Sequence, residues 1–199
     1  ALKTFSTDLN RYPPQVSVEL TSAISKRYLL NKKKIILGNG SDELISILSQ
    51  TFLNSNDEAI YTEFGFLQFP QSIAIAGAKG VIANDVNFTA NVDNILSKIN
   101  NKTKLIFLAN PNNPTGTFIT KNEIIRLHES IPSNILLVYD AAYSEFVVND
   151  AYTDGSELAD EYDNVIMLRT FSKLHGLASL RLGWGYASEN IIDNLMKVR

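Results

Sequence analysis

Two rhythms of apolar residues alternate along this chain. Short runs at 34–37, 59–62, 80–83, 105–109, 135–139, 165–169 and 181–187 have strand character, and several are almost uninterrupted hydrophobes, as strands buried on both faces would be. Between them, residues 16–30, 41–53, 67–76, 92–99, 121–130 and 189–198 carry one-sided apolar stripes of helical period. Within 41–53, for instance, Leu44, Ile45, Leu48 and Phe52 share one face. Strand–helix alternation of this kind implies right-handed crossovers and a mostly parallel sheet covered on both sides. The expected fold class is therefore α/β: a three-layer α/β/α arrangement with a mostly parallel sheet, in one domain over 1–199. In such sheets ligands sit beyond the carboxyl ends of the strands, so the chemistry is to be sought in the loops that follow them.

Composition removes several classes of function. Lys and Arg number 18 against 21 Asp and Glu, and no basic stripe stands out, which argues against nucleic acid as a partner. Lys32, Lys33 and Lys34 read as a solvated turn. With no cysteine, disulfides, zinc ribbons and thiol catalysis are excluded together. His128 and His175 alone do not make a metal site of the usual kind, so no metal is expected. No apolar run approaches a membrane span and no secretory signal is visible; a cytoplasmic protein is expected. The chain opens at "ALKTF" without methionine and stops inside a helical pattern at "NLMKVR", so a fragment of a longer protein is expected.

Four post-strand loops carry candidate chemistry. "GNGSDE" at 38–43 opens a helix, whose free N–H groups would suit an anion; Ser41 as an ordinary N-cap explains the same residues. "NPNNPTG" at 110–116 makes a stiff turn that could hold the Asn113 amide toward a ligand. "VYDAAY" at 138–143 places Asp140 at the end of an apolar strand, where a carboxylate needs a partner, with Tyr143 nearby; a helix-capping aspartate is the plainer alternative. "RTFSKLHGLASLRLGWG" at 169–185 combines hydroxyls at Thr170 and Ser172, an amine at Lys173 and a fixed cation at Arg181. Lysine is a poor nucleophile at its ordinary pKa, but nearby positive charge and burial would free its amine to attack a carbonyl. "EFGFLQF" at 63–69 could lay a ring over a planar ligand, and "RYPP" at 11–14 could present the Tyr12 hydroxyl. An anion cradle, an aromatic platform, a buried carboxylate and an amine together would suit a phosphorylated pyridine aldehyde.

Through "RYP", "GNGSDELI", "NPNNPTG", "DAAYSEF" and "RTFSKLHGLASLRLG", in this order, nearly the whole chain resembles the fold-type-I pyridoxal-phosphate aminotransferases. Within them it looks most like the histidinol-phosphate branch. The resemblance implies pyridoxal 5′-phosphate as cofactor and assigns roles to residues. Lys173 would carry the cofactor aldehyde and shuttle the substrate's proton, and Asp140 would pair with the pyridine nitrogen. Asn113 and Tyr143 would hold the phenolic oxygen, and Phe66 would stack on the ring, with Phe64 as the alternative register. Ser41, Asp42, Thr170, Ser172 and Arg181 would bind the phosphate, and Tyr12 would reach the phosphate in a partner subunit, which implies a homodimer. Lys173, Asp140 and Tyr143 are the expected catalytic residues. The expected reaction transfers an amino group between histidinol phosphate and 2-oxoglutarate. An aromatic-amino-acid aminotransferase, a phosphothreonine-type decarboxylase and a catalytically silent binding domain are the alternatives. An N-terminal arm and a small C-terminal domain are expected to lie outside this chain. Three positions depart from the family pattern: Ala141 stands where glutamate is usual, His175 where an aromatic is usual, and Phe66 where tyrosine is common.

Overall fold

The structure, a computed structural model, describes residues 17–199; Tyr12 and the rest of 11–14 lie outside the described residues. Seven strands form one sheet: β1 (Ile35–Asn39), β2 (Glu58–Thr62), β3 (Lys79–Ala83), β4 (Thr103–Ala109), β5 (Leu136–Asp140), β6 (Val165–Thr170) and β7 (Leu182–Ala187). Their spatial order is β1-β7-β6-β5-β4-β2-β3. Strands β2 to β6 pair in parallel, while β7 runs antiparallel to both β6 and β1. The exception has a simple cause. No crossover helix separates β6 from β7, and without one a strand can only return antiparallel beside its predecessor.

Helices α1 (Val18–Tyr28), α4 (Val92–Leu96), α5 (Lys121–Ser130) and α6 (Ser156–Glu161) cover one face of the sheet. On the other lie α2 (Ser41–Phe52), α3 (Gln68–Ile75) and α7 (Glu189–Val198). Strand residues alternate between the two cores: Ile106 and Leu108 enter the first, Leu105 and Phe107 the second, all fully buried. Each such side chain contributes about 1.5–3 kcal/mol on removal from water. The three-layer α/β/α expectation with a mostly parallel sheet is met.

The differences are local. The helix expected over 16–30 is α1, capped by Ser17, whose Oγ accepts from Leu20 N at 3.4 Å, and ended by Leu29 in the left-handed conformation. The one expected over 92–99 stops at Leu96. Helix α6 was not anticipated; it has six residues and buries only Leu158 and Ala159, too little to show a period. Ser41 is not an N-cap either. That position falls to Gly40 (φ 78°), where a Cβ would strike the Arg181 guanidinium, and Ser41 becomes the first, buried residue of α2.

Candidate active site

Strand β1 and its turn into α2 build one wall of the site. Gly183 of β7 lies directly against that turn, where a Cβ would overlap the Gly40 carbonyl carbon and the Ser41 nitrogen. Glycine at 183 thus lets the β7 backbone seat the start of α2, whose unpaired N–H groups and dipole give positive potential. The loop after β6 closes the cradle. Thr170 Oγ1 accepts from Ser172 N at 3.1 Å and donates to Ser172 Oγ at 2.9 Å. Arg181, in the left-handed conformation (φ 50°), turns its guanidinium back across the loop. Its Nη1 donates to Ala178 O at 3.0 Å and to Ser172 Oγ at 3.4 Å, and its Nη2 donates to Asp42 Oδ2 at 3.0 Å. A left-handed backbone costs a non-glycine residue about 1–2 kcal/mol, which these contacts offset.

Asp140 ends β5 and is 4% exposed. Its Oδ1 accepts from Ala142 N at 3.0 Å, so residues 140–142 form a local turn and not the start of a helix. Burial pushes the Asp140 carboxyl up to about 7, against the Ala142 hydrogen bond; the charge of Asp42 raises it further and that of Lys173 lowers it. Tyr143 follows in an irregular conformation, and the Lys173 Nζ lies 5.1 Å from its ring centroid, within cation–π range.

Ser41, Asp42, Phe66, Asn113, Asp140, Tyr143, Thr170, Ser172, Lys173 and Arg181 all line one cavity of about 140 Å³ beyond the carboxyl ends of the strands. Of the candidate site residues only Tyr12 is missing, because it lies outside the described residues. Between the two phenylalanines, the structure brings Phe66 to the cavity, edge-on to Phe69 with centroids 5.9 Å apart. Phe64 instead pairs with Phe88 at 5.2 Å, 38% exposed.

Two supporting residues escaped sequence reasoning. Asn110 is buried, accepts from Ile119 N at 2.8 Å, and donates to Ile119 O at 3.1 Å and Tyr139 Oη at 2.8 Å. It thereby fixes both ends of the loop that carries Asn113. Arg169 is also buried and binds Glu145 at 2.7 Å and Asp154 at 2.9 Å. It ties the segment after Tyr143 to the strand that leads to Lys173. A polar residue ending an apolar run was the signal that singled out Asp140, and it applies equally to both. Among the described residues, no cluster of three or more His, Asp or Glu side chains could hold a metal ion, and no helix is long and apolar enough to cross a membrane.

The family model for aminotransferase class I and II matches residues 3–199. Over all 199 residues the chain is 45% identical to the histidinol-phosphate aminotransferase of Rhodopseudomonas palustris (strain BisB5), covering 54% of that protein. It is 44% identical to the one of Paramagnetospirillum magneticum, covering 55%. The chain thus spans about half the length of the curated relatives it matches. The crystal structure of histidinol-phosphate aminotransferase from Sinorhizobium meliloti in complex with pyridoxal-5′-phosphate superposes with a TM-score of 0.93 at 25% identity, over all of this chain and 54% of that one. An aromatic aminotransferase from Pyrococcus horikoshii shares the fold, with a TM-score of 0.88 at 23% identity over 98% of this chain and 56% of that one.

Proposed function

The chain belongs to the aminotransferase class I and II family, and from that premise we propose that it is the cofactor-binding part of a pyridoxal-phosphate-dependent transaminase acting on histidinol phosphate and 2-oxoglutarate. One observation carries the reading: an amine, a buried carboxylate and an anion cradle, brought together by the loops after β1, β5 and β6, open onto one cavity. The two relatives named above, at 44–45% identity, support the choice of substrate.

The residues present fit the cofactor. Asp140 is held near neutrality by burial, so a ring cation facing it would restore the ionised form. The cradle at Thr170, Ser172, Arg181 and the start of α2 has the donors a phosphate needs. Pyridoxal phosphate, when bound, supplies an electrophilic aldehyde and a protonated ring that stores an electron pair. The protein's part is positional and protonic. Arg181, Ser172, Thr170, Ser41 and Asp42, the last two through backbone N–H groups, hold the phosphate. Asp140 keeps the proton on the ring nitrogen. Asn113 and Tyr143 hold the phenolic oxygen, and Phe66 covers the ring. Lys173 would offer its amine to the aldehyde, with loss of water, and once displaced by the substrate's amine would carry the proton to and from the substrate Cα. The same reading includes a homodimer, in which Tyr12 would reach a partner's phosphate and which rests on the family resemblance, and a cytoplasmic location, which rests on the sequence expectation above.

The test uses the full-length protein. After incubation with pyridoxal phosphate, borohydride should leave a stable adduct on the peptide containing Lys173 and none in Lys173→Ala. Histidinol phosphate should then outcompete phenylalanine as amino donor to 2-oxoglutarate. Absence of the adduct overturns the cofactor assignment. Preference for phenylalanine, or release of carbon dioxide from phosphothreonine, overturns the substrate.

A further inference from the structure

The cradle already contains an anion of its own. Asp42, the second residue of α2, faces the cavity, and its Oδ2 accepts from Arg181 Nη2 at 3.0 Å. The other hydrogen-bond acceptors around that guanidinium are neutral: Ala178 O, Asn39 O and Ser172 Oγ. The Asp42 carboxylate therefore sits on both positive features of the cradle, the guanidinium and the first turn of the helix. Its charge also reaches across the cavity, since it is among the causes that raise Asp140.

We propose that Asp42 is a built-in competitor for the phosphate of the ligand. Its carboxylate holds Arg181 when no phosphate is in the cradle, and its charge opposes a dianion that enters. Its backbone N–H favours binding while its side chain limits the affinity, so the two halves of one residue act in opposite directions. The inference rests on the reading of this cavity as a phosphorylated-cofactor site. Because both side chains are 45% exposed, solvent screens the pair and the effect is moderate. The rival role, a carboxylate that orients Arg181 for the ligand, has the opposite sign, so a measurement separates the two.

The experiment compares full-length wild type, Asp42→Asn and Asp42→Ser after removal of cofactor. Dissociation constants are measured for inorganic phosphate by calorimetry, and for pyridoxal phosphate and pyridoxal by absorbance, at low and high sodium chloride. Both variants should bind the two phosphate-bearing ligands about three- to fivefold more tightly at low salt. Pyridoxal, which lacks the phosphate and feels the Asp42 charge only across the cavity, should change much less than the phosphate-bearing ligands, and the gap should shrink as salt rises. If Asn at 42 prevents folding, Ser, a residue suited to a helix start, carries the same prediction. Equal or weaker phosphate binding by the variants overturns the proposal. So does an equal change for pyridoxal, which would mark a general effect on the site. A wild-type protein that binds pyridoxal phosphate no better than pyridoxal instead overturns the cradle reading itself.

Discussion

Arg169 is the residue whose loss should be felt most widely. It is 3% exposed, and its guanidinium lies 5.1 Å from the Tyr28 ring centroid and 5.7 Å from that of Trp184. Burial works against its charge, but the Glu145 hydrogen bond and the charges of Glu145 and Asp154 outweigh that cost and leave its pKa raised. Arg169→Met keeps most of the aliphatic volume and takes from Glu145, whose side chain is 15% exposed, its close cation, leaving only His175 at 3.7 Å as a basic neighbour among the described residues. Stranding one member of a buried pair costs about 3–5 kcal/mol. The Asp154 pair adds little, because that carboxylate is 34% exposed and screened. The lower end, about 3 kcal/mol, is therefore expected, which lowers Tm by roughly 6–12 °C for a chain of this size. Trp184 is the only tryptophan and is 2% exposed beside the guanidinium, so its fluorescence reports unfolding at the site of the change. A cycle with Glu145→Gln should show a coupling of about 1–3 kcal/mol. A cost below about 0.5 kcal/mol, or a coupling near zero, would refute the idea that this pair ties the two loops together.

Three further outcomes follow from the same structure. Asp140, raised to about 7, keeps a proton in the folded chain that the unfolded chain releases near pH 4. Its contribution is fully present below about pH 4 and is lost as pH rises through about 7, some 4 kcal/mol in all. Denaturant titrations at pH 5 and pH 8 should show this decline in cofactor-free wild type and lose it in Asp140→Asn; an equal change in unfolding free energy in the two proteins would contradict it. Gly183→Ala forces a methyl group against the Gly40–Ser41 backbone and should cost about 1–3 kcal/mol, with weaker phosphate binding, read by melting and calorimetry. Asn110→Ala leaves buried groups of Ile119 unpaired and should cost about 2–3 kcal/mol, with faster amide exchange at Ile119 as the local signature.

Much of this molecule was legible before any coordinates, for identifiable reasons. Stretches such as 105–109 and 165–168 lie in strands buried on both faces, so their residues are apolar without interruption, and that is a one-dimensional signal. Asp140 showed itself as a carboxylate ending such a run, and Lys173 and Arg181 through a motif confined to one loop. Other features exist only once distant segments meet. The exclusion of Phe64 in favour of Phe66 depends on Phe88 waiting beside the former. The requirement for glycine at 183 comes from the Gly40–Ser41 turn, brought beside it by the pairing of β7 with β1. Arg169 finds Glu145 and Asp154 through packing across the loops after β5, and the Asp42–Arg181 pair joins residues that only the folded sheet makes neighbours. The sequence by itself determined where the apolar strands and helix faces fall and which loops carry candidate chemistry, because both are read from single side chains along a periodic backbone. Tertiary structure alone decided which charges face each other, because a pair interaction depends on a distance that no local pattern encodes.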